Sequence, residues 1–189
     1  MDRILLRRDA LRARLAAENV DALLVTVPTN VGYLTGFTGD SSVLLVGRDR
    51  DVIVSDGRFT IQLEQECPGL EAVIRPAVQS LNQAVAQTAR GLGIRRLGFE
   101  ASHLSVADWD FLRRELGSTE LVATGDLVES LRAVKDETEI AAIREAVDFA
   151  QRAFLKLRAG LAEGQTEKQV ADRLEALMRE FGATGASFP

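Results

Sequence analysis

The chain carries one histidine and one cysteine in 189 residues, so imidazole and thiol chemistry have one candidate each. His103 sits in Glu100-Ala101-Ser102-His103, ahead of a helical segment. With Asp108 and Asp110 it makes too thin a donor set for a metal site, which needs several ligands at workable spacing. It reads as a surface histidine. Cys67 stands next to Pro68 with no base or cation beside it to lower its pKa, and reads as a structural or incidental thiol. Asp136, Glu137 and Glu139 form an acidic cluster, and acids belong in the first turn of a helix, where they meet the positive end of its dipole. Gly91-Leu92-Gly93 follows a helical pattern and precedes a strand, the reverse of the order a phosphate-binding glycine loop requires, so it reads as a turn.

Two segments carry more. Asn30-Val31-Gly32-Tyr33-Leu34-Thr35-Gly36-Phe37-Thr38-Gly39 spaces three glycines through aromatic and small polar residues, just after a strand. Asp56-Gly57-Arg58-Phe59 lies at a strand-to-helix junction, where an arginine can point off the sheet edge. Both also fit tight turns closed by a packed aromatic ring.

These residues need elements to hold them. Arg3 to Glu18 has helical apolar spacing and ends at Asn19. Ala22 to Val27 reads as a buried strand closed by Pro28. Ser42–Val46 and Val52–Ser55 flank Gly47-Arg48-Asp49-Arg50 as a hairpin. Helical stretches are expected over Arg58–Glu66, Leu81–Arg90 and from Ser105 to Leu116, the last opened by a serine cap. Leu70–Arg75, Arg96–Phe99 and Glu120–Ala123 are the remaining strands. Strands alternating with helices predict an α/β domain with a mixed sheet, whose antiparallel part comes from the hairpin. Beyond Gly125 the texture changes to a long helix, Asp136–Arg158, and a second one opened by the capping box Thr166-Glu167-Lys168-Gln169. The expected division is residues 1–125, a linker 126–135, and 136–189 as the start of another domain. Two helices bury their apolar stripes poorly alone, so Ile143, Val147, Leu174 and Phe181 should lack tight burial within the chain. The apolar ending Ala186-Ser187-Phe188-Pro189 reads as the beginning of a strand, which predicts that this second domain is present only in part.

Composition narrows the function classes. A net charge of −5 with scattered arginines, several beside acids on helices, argues against nucleic acid as a partner. No uncharged run approaches the length of a membrane span, no signal-peptide pattern opens the chain, and a single cysteine fits a reducing compartment, so a cytoplasmic location is expected.

Taken in order, the motifs resemble the creatinase/prolidase/aminopeptidase P family of pita-bread metallopeptidases. Asn30 to Phe37 is similar to that family's Asn-x-x-Tyr-Leu-Thr-Gly-Phe segment, and Asp56-Gly57-Arg58-Phe59 to its Asp-x-Arg-Tyr, with Phe for Tyr and Gln62 and Glu66 in the helix that follows. Leu131 to Ile140 resembles the start of the pita-bread domain. Gly164-Gln165-Thr166-Glu167 and Gly185 to Pro189 match two later signatures. The resemblance implies a creatinase-like N-terminal domain followed by two helices of an incomplete α+β pita-bread domain. For the full-length parent it implies an Xaa-Pro dipeptidase or Xaa-Pro aminopeptidase. There, two divalent ions (Mn, Co or Zn), held by two aspartates, one histidine and two glutamates, would carry a bridging hydroxide to the amide before proline.

All of those ligands are implied to lie beyond Pro189. This segment is therefore expected to have no catalytic residue, metal ligand or cofactor, and to be inactive alone. Proline-containing short peptides are the implied substrate, and the N-terminal domain is implied to serve homodimerisation and substrate gating. Arg58 is the residue expected to reach a substrate carboxylate or the neighbouring subunit's pocket, with Tyr33 second; alternatively Arg58 pairs with Asp56 or a nearby helix end. A non-catalytic pita-bread binding module and a creatinase-like amidinohydrolase are the other readings.

Overall fold

A strand buried on both faces must be apolar along its length, whereas a surface helix needs only one apolar stripe. Both patterns are met in the computed structural model, which describes residues 3–187. Two compact units are present, Met1–Ala133 and Val134–Pro189.

In the first unit, α1 (Arg3–Ala17) leads to β1 (Ala22–Val25) and α2 (Pro28–Thr35). The hairpin β2 (Val43–Gly47) and β3 (Asp51–Asp56) follows, then a 3-10 turn and α3 (Thr60–Glu66). β4 (Glu71–Arg75), α4 (Leu81–Gly91), β5 (Arg96–Glu100), α5 (Val106–Leu116), β6 (Glu120–Thr124) and the short α6 (Glu129–Ala133) complete it. The six strands form one sheet in the order β4-β3-β2-β1-β5-β6. Only β2 runs against its neighbours, pairing Leu45 with Leu24 on one side and with Val52 on the other. A short loop can join antiparallel strands, while the parallel pairs β1/β5, β3/β4 and β5/β6 need helical crossovers, which α3, α4 and α5 supply. The mixed sheet thus follows from the reversal of β2 alone, entered through α2 and left through the short turn before β3.

Side chains alternate across the sheet. Ala22, Leu24, Leu45, Val52, Val54 and Leu97 meet α4 and α5, through Ala84, Val85, Ala89, Leu112 and Leu116. Leu23, Val25, Leu44, Val46 and Ile53 meet α1, α2 and α3, through Leu11, Leu15, Val31, Leu34 and Leu63. Val128 is buried on this second face, with Leu127 and Leu131 packed beside it. Part of the expected linker therefore belongs to the first unit, because its apolar residues complete the layer over the sheet. The boundary between units falls at Ala133/Val134, inside the stretch 126–135.

Asn30–Gly39 departs from the expectation of turns alone, because its first half is α2. Pro28 stands at the first helical positions, where a missing N–H costs nothing and its fixed φ suits a helix. Gly36 ends the helix at φ +81°, with its N–H donated to the Gly32 carbonyl. The three glycines mask the helix in the sequence, although a proline opening and a left-handed glycine close are its proper punctuation.

The second unit is a pair of helices, α7 (Glu137–Ala159) and α8 (Glu167–Glu180). Asp136 with Glu139 and Thr166 with Gln169 each form reciprocal caps, so the acidic cluster around Asp136 is the opening of a helix. Ala153, Leu157 and Leu177 are buried between the helices, with Val170, Leu174, Met178 and Phe181 packed around them. Arg152 stacks over the Phe181 ring at 4.3 Å. Ile143 and Val147 remain half exposed, and Leu174 and Phe181 are only partly buried, as two helices sharing one stripe require. Of the terminal strand expected from the sequence, Phe188 and Pro189 lie outside the described residues.

Gly36→Ala should lower unfolding free energy by about 1 kcal/mol in urea titration, since a side chain strains the left-handed conformation that closes α2.

Candidate functional site

The carboxyl ends of β1, β3 and β5 lie at one edge of the sheet, and the polar residues of the two sequence motifs collect there. α2 starts without a side-chain cap of its own, since Val27 occupies the capping position. A carboxylate from another strand takes over that task. Glu100, the last residue of β5 and almost fully buried, accepts hydrogen bonds at Oε2 from the Thr26 and Val27 backbone N–H groups at 2.6 and 2.7 Å, and from Thr26 Oγ1 at 3.1 Å. Its Oε1 accepts from Asn30 Nδ2 at 2.6 Å. Negative charge at a helix start is favoured by the helix dipole, and four donors offset the cost of burying it.

Asn30 has no exposed surface and joins three elements. Its Nδ2 also donates to Glu129 at 2.5 Å, and its Oδ1 accepts from Arg132 Nη1 at 2.8 Å, tying α2 to α6. His103 lies at the margin, with Nδ1 3.1 Å from Thr26 Oγ1, so the surface histidine of the sequence reading has a specific neighbour. Glu100 was not singled out from the sequence as a functional or structural residue. The signal was present, an acid placed directly after the apolar strand Arg96–Phe99, but its partners lie 70 to 74 residues away.

The second cluster is built on Asp56. Its carboxylate accepts from the Arg58 backbone N–H at 3.0 Å, which closes the turn after β3, and from Arg58 Nε at 3.0 Å and Nη2 at 2.8 Å. Arg75 Nη2 is 3.5 Å away. These donors, the Arg58 side chain first, hold the Asp56 carboxyl down at about 2. Arg58 itself is largely exposed. Phe59 packs edge-on against Phe37, centroids 5.6 Å apart. Gly39 is required there, because a Cβ would fall 2.3 Å from the Phe37 ring. Glu66 of α3 accepts from Thr38 N–H and Oγ1, both at 2.8 Å, which lowers its pKa, and Gln62 donates to Thr38 Oγ1 at 2.8 Å. Phe37 and Thr38 of the first motif, Phe59 of the second and Gln62 and Glu66 of α3 therefore hold one surface turn to that helix.

Tyr33 is partly buried in α2, its ring beneath the Arg7 guanidinium at 4.0 Å and its carbonyl accepting from Arg7 Nη1 at 3.1 Å. Arg58 is engaged by Asp56, so the two residues expected to bind substrate have different partners, one from α1 and one from the β3 terminus. Cys67 is buried, donates to the Thr35 carbonyl at 3.5 Å, and burial pushes its thiol up, the behaviour of an unreactive group. Among the described residues no three His, Cys, Asp or Glu side chains come together in a way that could hold a metal ion. No described helix is long and apolar enough to cross a membrane.

A sheet with one reversed strand, helices on both faces and motif residues gathered at its carboxyl edge has clear relatives. Residues 7–134 match the creatinase/prolidase N-terminal domain, and the chain belongs to that family. Over 97% of its length it is 33% identical to YqhT of Bacillus subtilis (strain 168), described as an uncharacterized peptidase, of which it covers 51%. It superposes on a structure of an Xaa-Pro dipeptidase from Bacillus anthracis with a TM-score of 0.91 and 30% identity, covering 98% of this chain and 51% of that one. The N-terminal domain of the cytoplasmic peptidase PepQ from Mycobacterium tuberculosis H37Rv is 39% identical, with a TM-score of 0.62, over 67% of this chain and 98% of that one. The chain spans about half the length of the curated relatives it matches.

Two measurements probe the site. Asn30→Ala leaves Glu100, Glu129 and Arg132 each short of a partner and should cost roughly 2–3 kcal/mol in urea unfolding. The Asp56 carboxyl should titrate near 2 by NMR and move up toward the ordinary carboxylate range in Arg58→Ala. Because its folded pKa is depressed, the stability it lends is complete above about 4 and lost as pH falls through about 2. Arg58→Ala should flatten that acid limb.

Proposed function

We propose that this chain is the amino-terminal part of a proline-specific metallopeptidase, an Xaa-Pro dipeptidase or aminopeptidase that hydrolyses the amide bond before proline. The observation that carries this reading is the superposition of nearly the whole chain on a protein named as an Xaa-Pro dipeptidase, at 30% identity. Two divalent ions would supply the hydrolytic chemistry, and they are assigned to residues outside this segment. On this reading the 189 residues have no peptidase activity alone. The division proposed is an N-terminal domain through Ala133 and the opening of the catalytic domain from Val134, in a cytoplasmic protein.

The proposed task of the N-terminal domain is homodimerisation and control of access by short proline-containing peptides. Arg58 supports the second part. Asp56 engages one side of the guanidinium through Nε and Nη2, which fixes its orientation and leaves further N–H donors of the exposed group for a substrate carboxylate. Tyr33 is the secondary substrate-binding residue in this proposal, with its ring held by Arg7.

Full-length protein supplied with Mn, Co or Zn should release the amino acid preceding proline from Xaa-Pro substrates, while the 189-residue chain should not. Metal-dependent cleavage by the short chain would overturn its proposed inactivity, and cleavage of creatine but no Xaa-Pro peptide by the full-length protein would overturn the peptidase reading. Arg58→Ala in the full-length protein should raise KM about tenfold with little change in kcat, the mark of a lost binding contact.

A further inference from the structure

An edge strand offers a row of unpaired backbone donors and acceptors, and natural sheets protect such rows with charged side chains, lysine above all, with prolines, with bulges or by short length. β4 stands at one edge of this sheet, parallel to β3 on its inner side. Its five residues, Glu71-Ala72-Val73-Ile74-Arg75, carry charges only at the two ends, with no lysine or proline among them and an uninterrupted register with β3, and Ile74 is 36% exposed. The outer edge is also flanked by hollows on both faces. On the α3 face, Leu63, Cys67, Leu70, Ala72 and Ile74 line a hollow of about 440 Å³. On the α4 face, Glu71, Val73 and Gln87 border another of about 430 Å³.

The order of charges in β4 selects its partner. If two copies pair antiparallel about Val73, Glu71 of each faces Arg75 of the other, and Val73 faces its own counterpart. Ala72 faces Ile74, so the larger side chain of one copy is set beside the small one lining the α3-face hollow of the other. Opposite charges directly across an antiparallel pair are favourable, and like charges are not. β6, at the other edge, reads Glu120-Leu121-Val122-Ala123-Thr124 and has no such self-complementarity. We infer that β4 is a homodimerisation edge: two copies of this chain join through antiparallel β4–β4 pairing, with the sheet continuous across the two-fold axis. This deepens the homodimer proposed above and rests on that reading only for its biological use.

Glu71 now pairs with Arg50 at 2.7 Å, and Arg75 donates to the Gln79 carbonyl at 2.6 Å and lies 3.5 Å from Asp56. Both charged groups stay at the strand ends in the dimer, where these neighbours and the partner copy compete for them.

Sedimentation velocity on the 189-residue chain provides the test. The unmodified chain should dimerise in the micromolar range. Glu71→Arg and Arg75→Glu, each alone, put like charges opposite one another and should weaken the dimer at least about tenfold. An equimolar mixture of the two variants should recover it, because each then faces its complement. A second measurement avoids charge changes: Val73→Cys should form a disulfide-linked dimer on mild oxidation, and Val106→Cys, on α5, should not. A dimer that ignores both charge reversals and gives no Val73→Cys cross-link would overturn this interface while leaving homodimerisation standing. A chain that stays monomeric would overturn both. Variants that dimerise normally alone, or a mixture that fails to recover while both variants remain folded by circular dichroism, would also refute β4 pairing.

Discussion

One buried carboxylate holds this domain together where its topology is most exposed to error. The chain lays down β2, β3 and β4 on one side of β1, then crosses over to place β5 and β6 on the other. The sheet therefore changes direction between β1 and β5, which in open α/β sheets is where a crevice forms at the carboxyl ends of the strands and ligands bind. Here Glu100 fills that place from within. It takes the backbone N–H groups of Thr26 and Val27 and the amide of Asn30, the kind of donors that would otherwise face an anionic ligand. The switch point is closed by the protein's own side chain, which staples β5 to the start of α2 and, through Asn30, to α6.

The consequence is a domain closed at its switch point, with the Arg58 guanidinium left exposed at the margin. Some of its ion pairs lie within one exposed helix, such as Arg113 and Arg114 with Asp110, and such pairs contribute little. Asp56 with Arg58 differs because the same carboxylate also closes the turn after β3, so backbone geometry and arginine orientation are set by one group. That coupling explains why the motif is compact in sequence. An Asp two residues before an Arg satisfies the local turn and fixes the guanidinium without help from elsewhere in the fold.

Much of this was legible in advance. Alternating apolar strands, the hairpin around Arg48-Asp49-Arg50 and the helix openings at Ser105, Asp136 and Thr166 are local signals, complete within a few residues. Family membership was also legible, from five short motifs in order. The reading failed where one local signal hid another, as in the glycine-spaced Asn30–Gly39, whose first half is helix. It fell short again at 126–133, where Val128 looks like connector sequence until the apolar layer it completes is seen.

The sequence by itself determined the alternation of elements, the mixed character of the sheet and the kinship of the chain, because each follows from periodicity, capping and motif order along a short stretch. Only the tertiary structure decided which polar residues are structural. Nothing near Glu100 in the chain shows that it caps a helix beginning 72 residues earlier, and nothing near Asn30 shows that it bridges Glu100, Glu129 and Arg132. The self-complementary charges of Glu71-Ala72-Val73-Ile74-Arg75 are present in the sequence from the start. They acquire meaning only when the strand order leaves β4 at an edge, since the same five residues in the middle of the sheet would have no free side to offer.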